Sequence, residues 1–461
     1  MENFVLQEGK KLIGFGAALK ILISNIFGIG VIKMPQSYLR SGLLGFICML
    51  TMSSVLTFIS SFVLCISAKR RDKENSLGKA SEVHVNHTTY GTLFEILSKR
   101  VGKNIANAII AFMCYLTTLV FFLFIVEFIE KFLYSILLTK NKEISEYFLK
   151  FILSSGISIL LFTMVANIKT MDKLAKLCYA TIIGISCLTL VLIIFSFFLG
   201  NPLSSLTLFG EGKLVLSLPE IIFATFCQTG VIPIYEDLAD KSKKNITKVI
   251  ASGVFVSFIV YFIIGLCGYI IAGNLLEGDI LSTLLNKSSP VYDSIRGGTV
   301  DIFFGITSSV ALIFIVGLCA SFTCQTLIAM RTFNELLTGN QETTKIRRYL
   351  TICLQFLILI ICGSFGVNVG RVIQIIASVF MTLLAYIFPS AINIVQNKKK
   401  ITFKKLILPL ILLIFGAFII CYVPYNIIKE IFSDPQNATI AISGYNSTNL
   451  TEGSITTALN I

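Results

Sequence analysis

Two short stretches hold the residue types most able to do chemistry. Residues 24–35 read SNIFGIGVIKMP and residues 227–235 read CQTGVIPIY. Each lies within a run apolar enough to cross a bilayer, yet each contains residues that interrupt a helix. In the first, Gly28 and Gly30 flank Ile29; in the second, Thr229 and Gly230 precede Pro233. Proline has no N–H to donate, and glycine costs a helix about 1 kcal/mol relative to alanine. Peptide groups freed at membrane depth cannot face lipid, so they line protein or a watery cavity. There, N–H groups that open a half-helix bind an anionic group and loose carbonyls hold a cation. Close helix packing through small residues is the alternative use of such glycines. The recurrence of the interruption five spans later favours a binding site.

The elements that position these stretches follow from composition. Hydrophobic residues make up 55% of the chain and charged residues 14%, with a mean hydropathy of +0.84. Soluble chains carry about 25% charged residues, so this is an all-α, polytopic membrane protein with little room for a soluble domain. The net charge of +13 sits in short loops between apolar runs and serves orientation, which argues against nucleic acid as a partner. The chain has no Trp, so an interfacial aromatic belt rests on its 15 Tyr. The 12 cysteines fall within expected spans, without metal-type pairs, and read as small buried apolar residues. MENFVLQEGKK has no apolar core of a cleavable signal. The two histidines, His84 and His87, lie in one polar loop, where they read as loop residues rather than metal ligands. No span holds a histidine or a clustered carboxylate pair, so no enzyme, resident metal or cofactor is expected.

Eleven apolar segments are expected, near 13–39, 42–67, 104–136, 149–166, 174–199, 218–236, 249–273, 300–330, 349–364, 372–395 and 406–427. Lys and Arg concentrate in alternate loops, which become cytosolic if the N-terminus is cytosolic. The odd number of spans then puts the C-terminus outside. The tail after 430 has no Lys or Arg and carries glycosylation sequons at Asn437, Asn446 and Asn449; another, at Asn286, lies in an outer loop. Sequons at Asn86 and Asn245 fall in loops read as cytosolic. The stretch YGTLFEILSKRVGK before the third span is amphipathic and expected along the cytosolic interface. The chain divides into a cytosolic start (1–12), a first repeat (13–199, with the cytosolic loop 68–103), a second repeat (218–395), an eleventh span (406–427) and an extracellular or lumenal tail (428–461). The first span runs outward and the sixth inward, as inverted repeats with discontinuous first helices require.

SNIFGIGVIKMPQSYLRSGLLG resembles the first helix of the amino acid/auxin permease family, which reads N-x-x-G-x-G-[IL]-x-x-[LM]-P. CQTGVIPIYEDLADKSKK is similar to the sixth-helix pattern of its neutral amino-acid branch, C-H-x-x-V-L-P-I-Y-x-E-L, with Gln228 where that branch often has His. YGTLFEILSKRVGK and the FGITSS…AMR stretch at 304–331 resemble that family as well, and the likeness spans roughly 12–427. It implies a LeuT-like 5+5 inverted repeat with discontinuous helices 1 and 6 plus one extra helix, eleven in all. The implied activity is secondary active amino-acid transport, coupled to Na+ or H+, across a plasma, vacuolar or endosomal membrane. A carrier of a related amine or carboxylate and a non-transporting amino-acid receptor are the alternatives.

An α-amino acid presents a carboxylate and an ammonium. N–H groups near Ile29, Gly30 and Val31 suit the carboxylate, with Gly28 and Gly30 allowing close approach. Carbonyls from Phe223 to Cys227 suit the ammonium, Phe223 is placed to cap the site, and Gln228, Thr229 and Gly230 to shape the side-chain pocket. Asn25 matches an asparagine the family uses near a sodium site. Ser321 and Thr323 on the eighth span are the preferred ion ligands over Ser308 and Ser309. Lys20 reads as a gate or as a snorkelling side chain. Lys33 and Arg40 have Glu127, Glu130 or Glu220 as candidate partners.

Overall fold

A computed structural model describes residues 12–76, 88–136, 146–167, 171–199, 207–210, 214–276, 278–292, 298–339, 345–364, 369–397 and 403–433. The tail sequons and both histidines lie outside these residues. The described residues are helical throughout, apart from turns and an isolated bridge between Ile13 and Leu238.

Helix α1 covers Phe15–Ile26 and a 3-10 turn covers Ile29–Lys33, followed by α2, Met34–Ser76. Two helices within α2 meet at a kink at Gly42 (φ 69°, ψ 174°), a left-handed backbone that only glycine adopts without strain. The backbone of 208–210 presses against this turn; a Cβ at Gly42 would stand 2.5 Å from Gly210 N. Then follow α3 (Tyr90–Ile136), α4 (Glu146–Asn167), α5 (Met171–Phe198), α6 (Leu214–Thr225), α7 (Gln228–Asp237) and α8 (Lys243–Ala272). Ser242 caps α8 by accepting from Asn245 N at 3.2 Å, and Gly273 ends it at φ 49°. The short α9 is Ile280–Leu284, and the long α10 is Gly298–Thr338. Next come α11 (Lys345–Ser364), α12 (Val369–Ile375), two π-helical turns (Ile376–Met381 and Leu383–Ile387), α13 (Phe388–Asn397) and α14 (Phe403–Ser433).

Ten helices among the described residues are long and apolar enough to cross a membrane, and α1 is a shorter apolar helix of 12 residues. The stretch Met34–Ser76 is two helices meeting at Gly42, which is where the expected first segment (13–39) gives way to the second (42–67). α3 is likewise two helices meeting at Ser98–Lys99: the third expected span lies in the second, and the amphipathic stretch from Tyr90 forms the first. Phe94 there packs on Phe388, with ring centroids 4.1 Å apart.

α10 packs against α3 and α5, α2 lies against α6 and α8, and α1 lies between α8 and α5. Large side chains such as Phe122, Phe124, Phe314 and Phe322 fill the interior. Phe197, Phe198, Ile346 and Leu350 point outward, as a lipid-facing surface requires. The chain is thus an integral multi-pass membrane protein.

Candidate functional site

The site forms where α1 and α6 stop. The last bond of α1 runs from Phe27 N–H to Ile23 O at 2.8 Å, and Gly28 is extended (φ −156°, ψ −156°). A new turn starts when Val31 N–H donates to Gly28 O at 3.3 Å. α6 ends at Thr225; Cys227 leaves helical geometry (φ −143°, ψ 1°), and α7 starts with Gly230 and Val231 N–H donating to Cys227 O at 3.0 and 3.2 Å. Pro219 and Pro233 both lie within helices, on either side of this stop rather than at it. Residues 29–33 and 217–232 are buried throughout.

The two stops lock onto each other. Asn25 Nδ2 donates to Cys227 O at 3.2 Å, and a Cβ on Gly230 would stand 2.2 Å from that nitrogen. A Cβ on Gly30 would lie 2.6 Å from the Ala224 Cα, so the 3-10 turn and α6 touch backbone to backbone. Gly28 faces the Phe121 ring of α3, with 3.1 Å left for a Cβ. Glycine is required here by close approach, since none of the three has a positive φ.

The expected residues therefore divide. Asn25, Gly28, Ile29, Gly30, Val31, Cys227 and Gly230 surround this junction. Phe223 is buried beside Ala224 on α6. Gln228 is committed to the protein itself: its Oε1 accepts from Cys227 N–H at 3.0 Å and its Nε2 donates to Ser60 at 2.8 Å. The Thr229 hydroxyl is buried without a hydrogen-bond partner among the described residues. On α10, Thr323 donates to Cys319 O at 2.8 Å, whereas Ser321 Oγ is buried and unpartnered. No hydrogen bond among the described residues joins either of them to Asn25. Asn286 lies in a half-buried turn that Ser288 and Ser289 N–H close.

Contacts seal the junction at both ends. At the end opposite the N-terminus, Arg40 pairs with buried Glu220 at 2.8 Å, and Ser37 donates to the same carboxylate at 2.9 Å. Of the three carboxylates in reach, Arg40 takes Glu220. Lys33, only 7% exposed, takes none of them as a hydrogen-bond partner; its Nζ donates to Gly278 O at 2.8 Å and lies 5.7 Å from the Phe124 ring centre. With its amide oriented to match its neighbours, Gln36 donates to that carbonyl at 2.7 Å. Beside it, Asp279 caps α9 by accepting from Ser282 N–H at 2.9 Å. Burial pushes the Asp279 carboxyl above its ordinary value, and the nearby Lys33 charge offsets part of that rise. At the N-terminal end, Ile13 N–H donates to Asp237 O at 2.8 Å and Ala239 N–H to Ile13 O at 3.0 Å. Tyr235 donates to Asp72 at 2.8 Å, and Lys20 donates to the Tyr179 hydroxyl at 2.6 Å.

Sequence reasoning passed over Phe121, Ser60 and Tyr261, and named Ala224 only through its carbonyl within 223–227. A phenylalanine and a serine in apolar spans have no pattern that separates them from packing residues. Tyr261 carried one faint sign, a hydroxyl deep in a span that must find a partner.

Many solved structures share the fold, MhsT and Mhp1 among them. The crystal structure of MhsT in complex with L-phenylalanine matches with a TM-score of 0.61 and 14% identity, covering 88% of this chain and 97% of that one. Mhp1, a nucleobase-cation-symport-1 family transporter in a closed conformation with bromovinylhydantoin bound, matches with a TM-score of 0.55 and 10% identity, covering 86% and 81%. At these identities the likeness is one of fold. The sequence model of the family described as "Transmembrane amino acid transporter protein" matches residues 12–429, and this chain belongs to that family.

Proposed function

We propose that the protein is a secondary active amino-acid transporter working by alternating access. One observation carries the reading: two helices stop at the same place and are held together by Asn25 on Cys227 and by Gly30 on Ala224. The substrate carboxylate is held by N–H groups of Ile29, Gly30 and Val31, aided by the positive end of the turn that follows Gly28. The ammonium takes the last carbonyls of α6, which have no intrahelical partner. Phe223 caps the site, and Cys227, Thr229 and Gly230 border the side chain; Gln228 sets the start of α7 rather than meeting the substrate directly. The L-phenylalanine held by MhsT, on the same fold, supports an amino acid as cargo.

In this reading the chain is a LeuT-like 5+5 inverted repeat plus one helix, divided as 13–199, 218–395 and 406–427. Spans one, two, six and seven rock against the remainder. The N-terminus is cytosolic, and the tail with Asn437, Asn446 and Asn449, together with Asn286, faces the glycosylated side. Na+ or H+ supplies the driving gradient, with Asn25, Ser321 and Thr323 as the ion ligands; the Thr323 hydroxyl donates its hydrogen to Cys319 O and keeps its oxygen lone pairs for a cation. Counterflow of labelled amino acids in proteoliposomes tests the cargo. Exchange of an amine or carboxylate without exchange of any amino acid would overturn it.

A further inference from the structure

Tyr261, on α8, is fully buried, and its hydroxyl oxygen lies 2.8 Å from Ile26 O and 2.8 Å from Ala224 O. Ile26 is the last residue of α1, and Ala224 is the last but one of α6. Both carbonyls belong to the terminal set that lacks intrahelical donors and carries the negative end of a helix dipole. Two such ends meeting in an apolar interior need a cation or a proton donor between them. The Tyr261 ring is held in place beside Phe27, with centroids 5.9 Å apart, so its hydroxyl is delivered to a fixed point.

We propose that the Tyr261 hydroxyl is a resident clasp between the two interrupted helices, occupying the place where a cation would otherwise join their carbonyl ends. The proposal rests on the transporter reading and sharpens it: no coupling ion binds between Ile26 O and Ala224 O, so an ion held by Asn25, Ser321 and Thr323 sits apart from the clasp. The hydroxyl has one hydrogen for two acceptors, so it donates to one carbonyl at a time. The two half-helices can then shift slightly against each other without leaving both ends bare. Tyr261 is a positioning residue, acting on substrate through the carbonyls it orients.

Tyr261→Phe removes one oxygen and keeps the ring packing. It leaves a gap of atomic size faced by two carbonyls, which suits a small monovalent cation. The test uses the purified full-length chain. Melting temperature is titrated with sodium or lithium chloride against choline chloride at constant ionic strength, and amino-acid uptake is measured in proteoliposomes. Y261F is expected to gain a sodium- or lithium-dependent rise in melting temperature beyond that of the wild type. Without sodium its KM for the amino acid rises about tenfold, the size of one lost buried hydrogen bond, and sodium recovers part of it. A tyrosine that only filled space would lower the melting temperature and leave the cation response unchanged, which would overturn the proposal. Should Y261F not fold, an experimental structure of the wild type with thallium as a sodium substitute decides: the tyrosine hydroxyl between Ile26 O and Ala224 O with no cation there is expected, and a cation between those carbonyls overturns the clasp. Absence of wild-type amino-acid flux would count against the transporter reading alone, because the cation titrations need no flux.

Discussion

Gly30 and Gly230 set how closely the two interrupted helices approach, and each is tested by adding a single side chain. At Gly30 the obstacle is the Ala224 backbone, 2.6 Å from a Cβ, which cannot swing aside. Overpacking of this kind costs about 1–3 kcal/mol and here falls on the site itself. Gly30→Val is expected to abolish uptake while monodisperse protein still reaches the membrane, as read by surface labelling and size-exclusion chromatography. At Gly230 the obstacle is the Asn25 amide, which can move but then releases Cys227 O. Gly230→Ala should therefore lower uptake about tenfold, the cost of one buried hydrogen bond. The effects of Gly230→Ala and Asn25→Ala should not add, since both remove the same bond. A double variant whose loss equals the product of the two single losses would show that the contact is incidental. At this scale the sequence made the glycines conspicuous, with a helix interruption or close packing as their two uses around Ile29, and the structure shows both. The sequence could not make Tyr261 or Phe121 conspicuous, since their roles come from positions reached by distant parts of the chain.

At the scale of elements, the charged residues show why helices tie together in pairs. Glu220 on α6 is buried and holds both Arg40 and Ser37 of α2, so the start of α2 and α6 are coupled as one body. Removing one partner of a buried pair costs about 3 kcal/mol because it strands the other. Glu220→Gln is expected to lower the melting temperature clearly, while a paired Arg40→Met, Glu220→Leu variant recovers most of it. Asp279 gives a second test, through α9. Its carboxyl is raised by burial, so the folded chain binds its proton more tightly than the unfolded chain does. Stability from this group is therefore fully present below the ordinary carboxylate range and is lost as pH rises through the folded value. Hydrogen exchange over 280–284 should accordingly quicken from acid toward neutral pH in the wild type, after correction for intrinsic rates. Asp279→Asn keeps the cap and should remove that dependence; an unchanged pH profile in the variant would assign the effect to another group. Sequence placed Arg40 among three possible carboxylates and left Lys33 open between gate and snorkel. The structure gives Arg40 to Glu220 and sends Lys33 to a backbone carbonyl, a partner that composition cannot reveal because every residue has one.

For the whole molecule, apolar runs and low charge made the all-helical membrane architecture plain, and the motifs at 24–35 and 227–238 pointed to the family that residues 12–429 match. Less legible were boundaries that apolar content does not govern. The kink at Ser98–Lys99 and the two π-helical turns at 376–387 depend on packing between distant helices, whereas the start at Tyr90 and the division at Gly42 coincide with boundaries the sequence suggests. π turns gather where a helix has a task beyond spanning, and here Tyr90 donates to Leu384 O in the second of them. Contacts close the junction at both ends in this structure: Arg40–Glu220 and Lys33–Gly278 at one, Ile13–Asp237 and Tyr235–Asp72 at the other. The central claim is that this junction carries an amino acid across the membrane on an ion gradient. The most direct measurement is uptake of labelled amino acids into proteoliposomes of the full-length chain, with sodium and proton gradients imposed separately. The account predicts concentrative uptake under at least one gradient, abolished by Gly30→Val. Absence of amino-acid flux under either gradient, from protein shown to be folded and inserted, would contradict it.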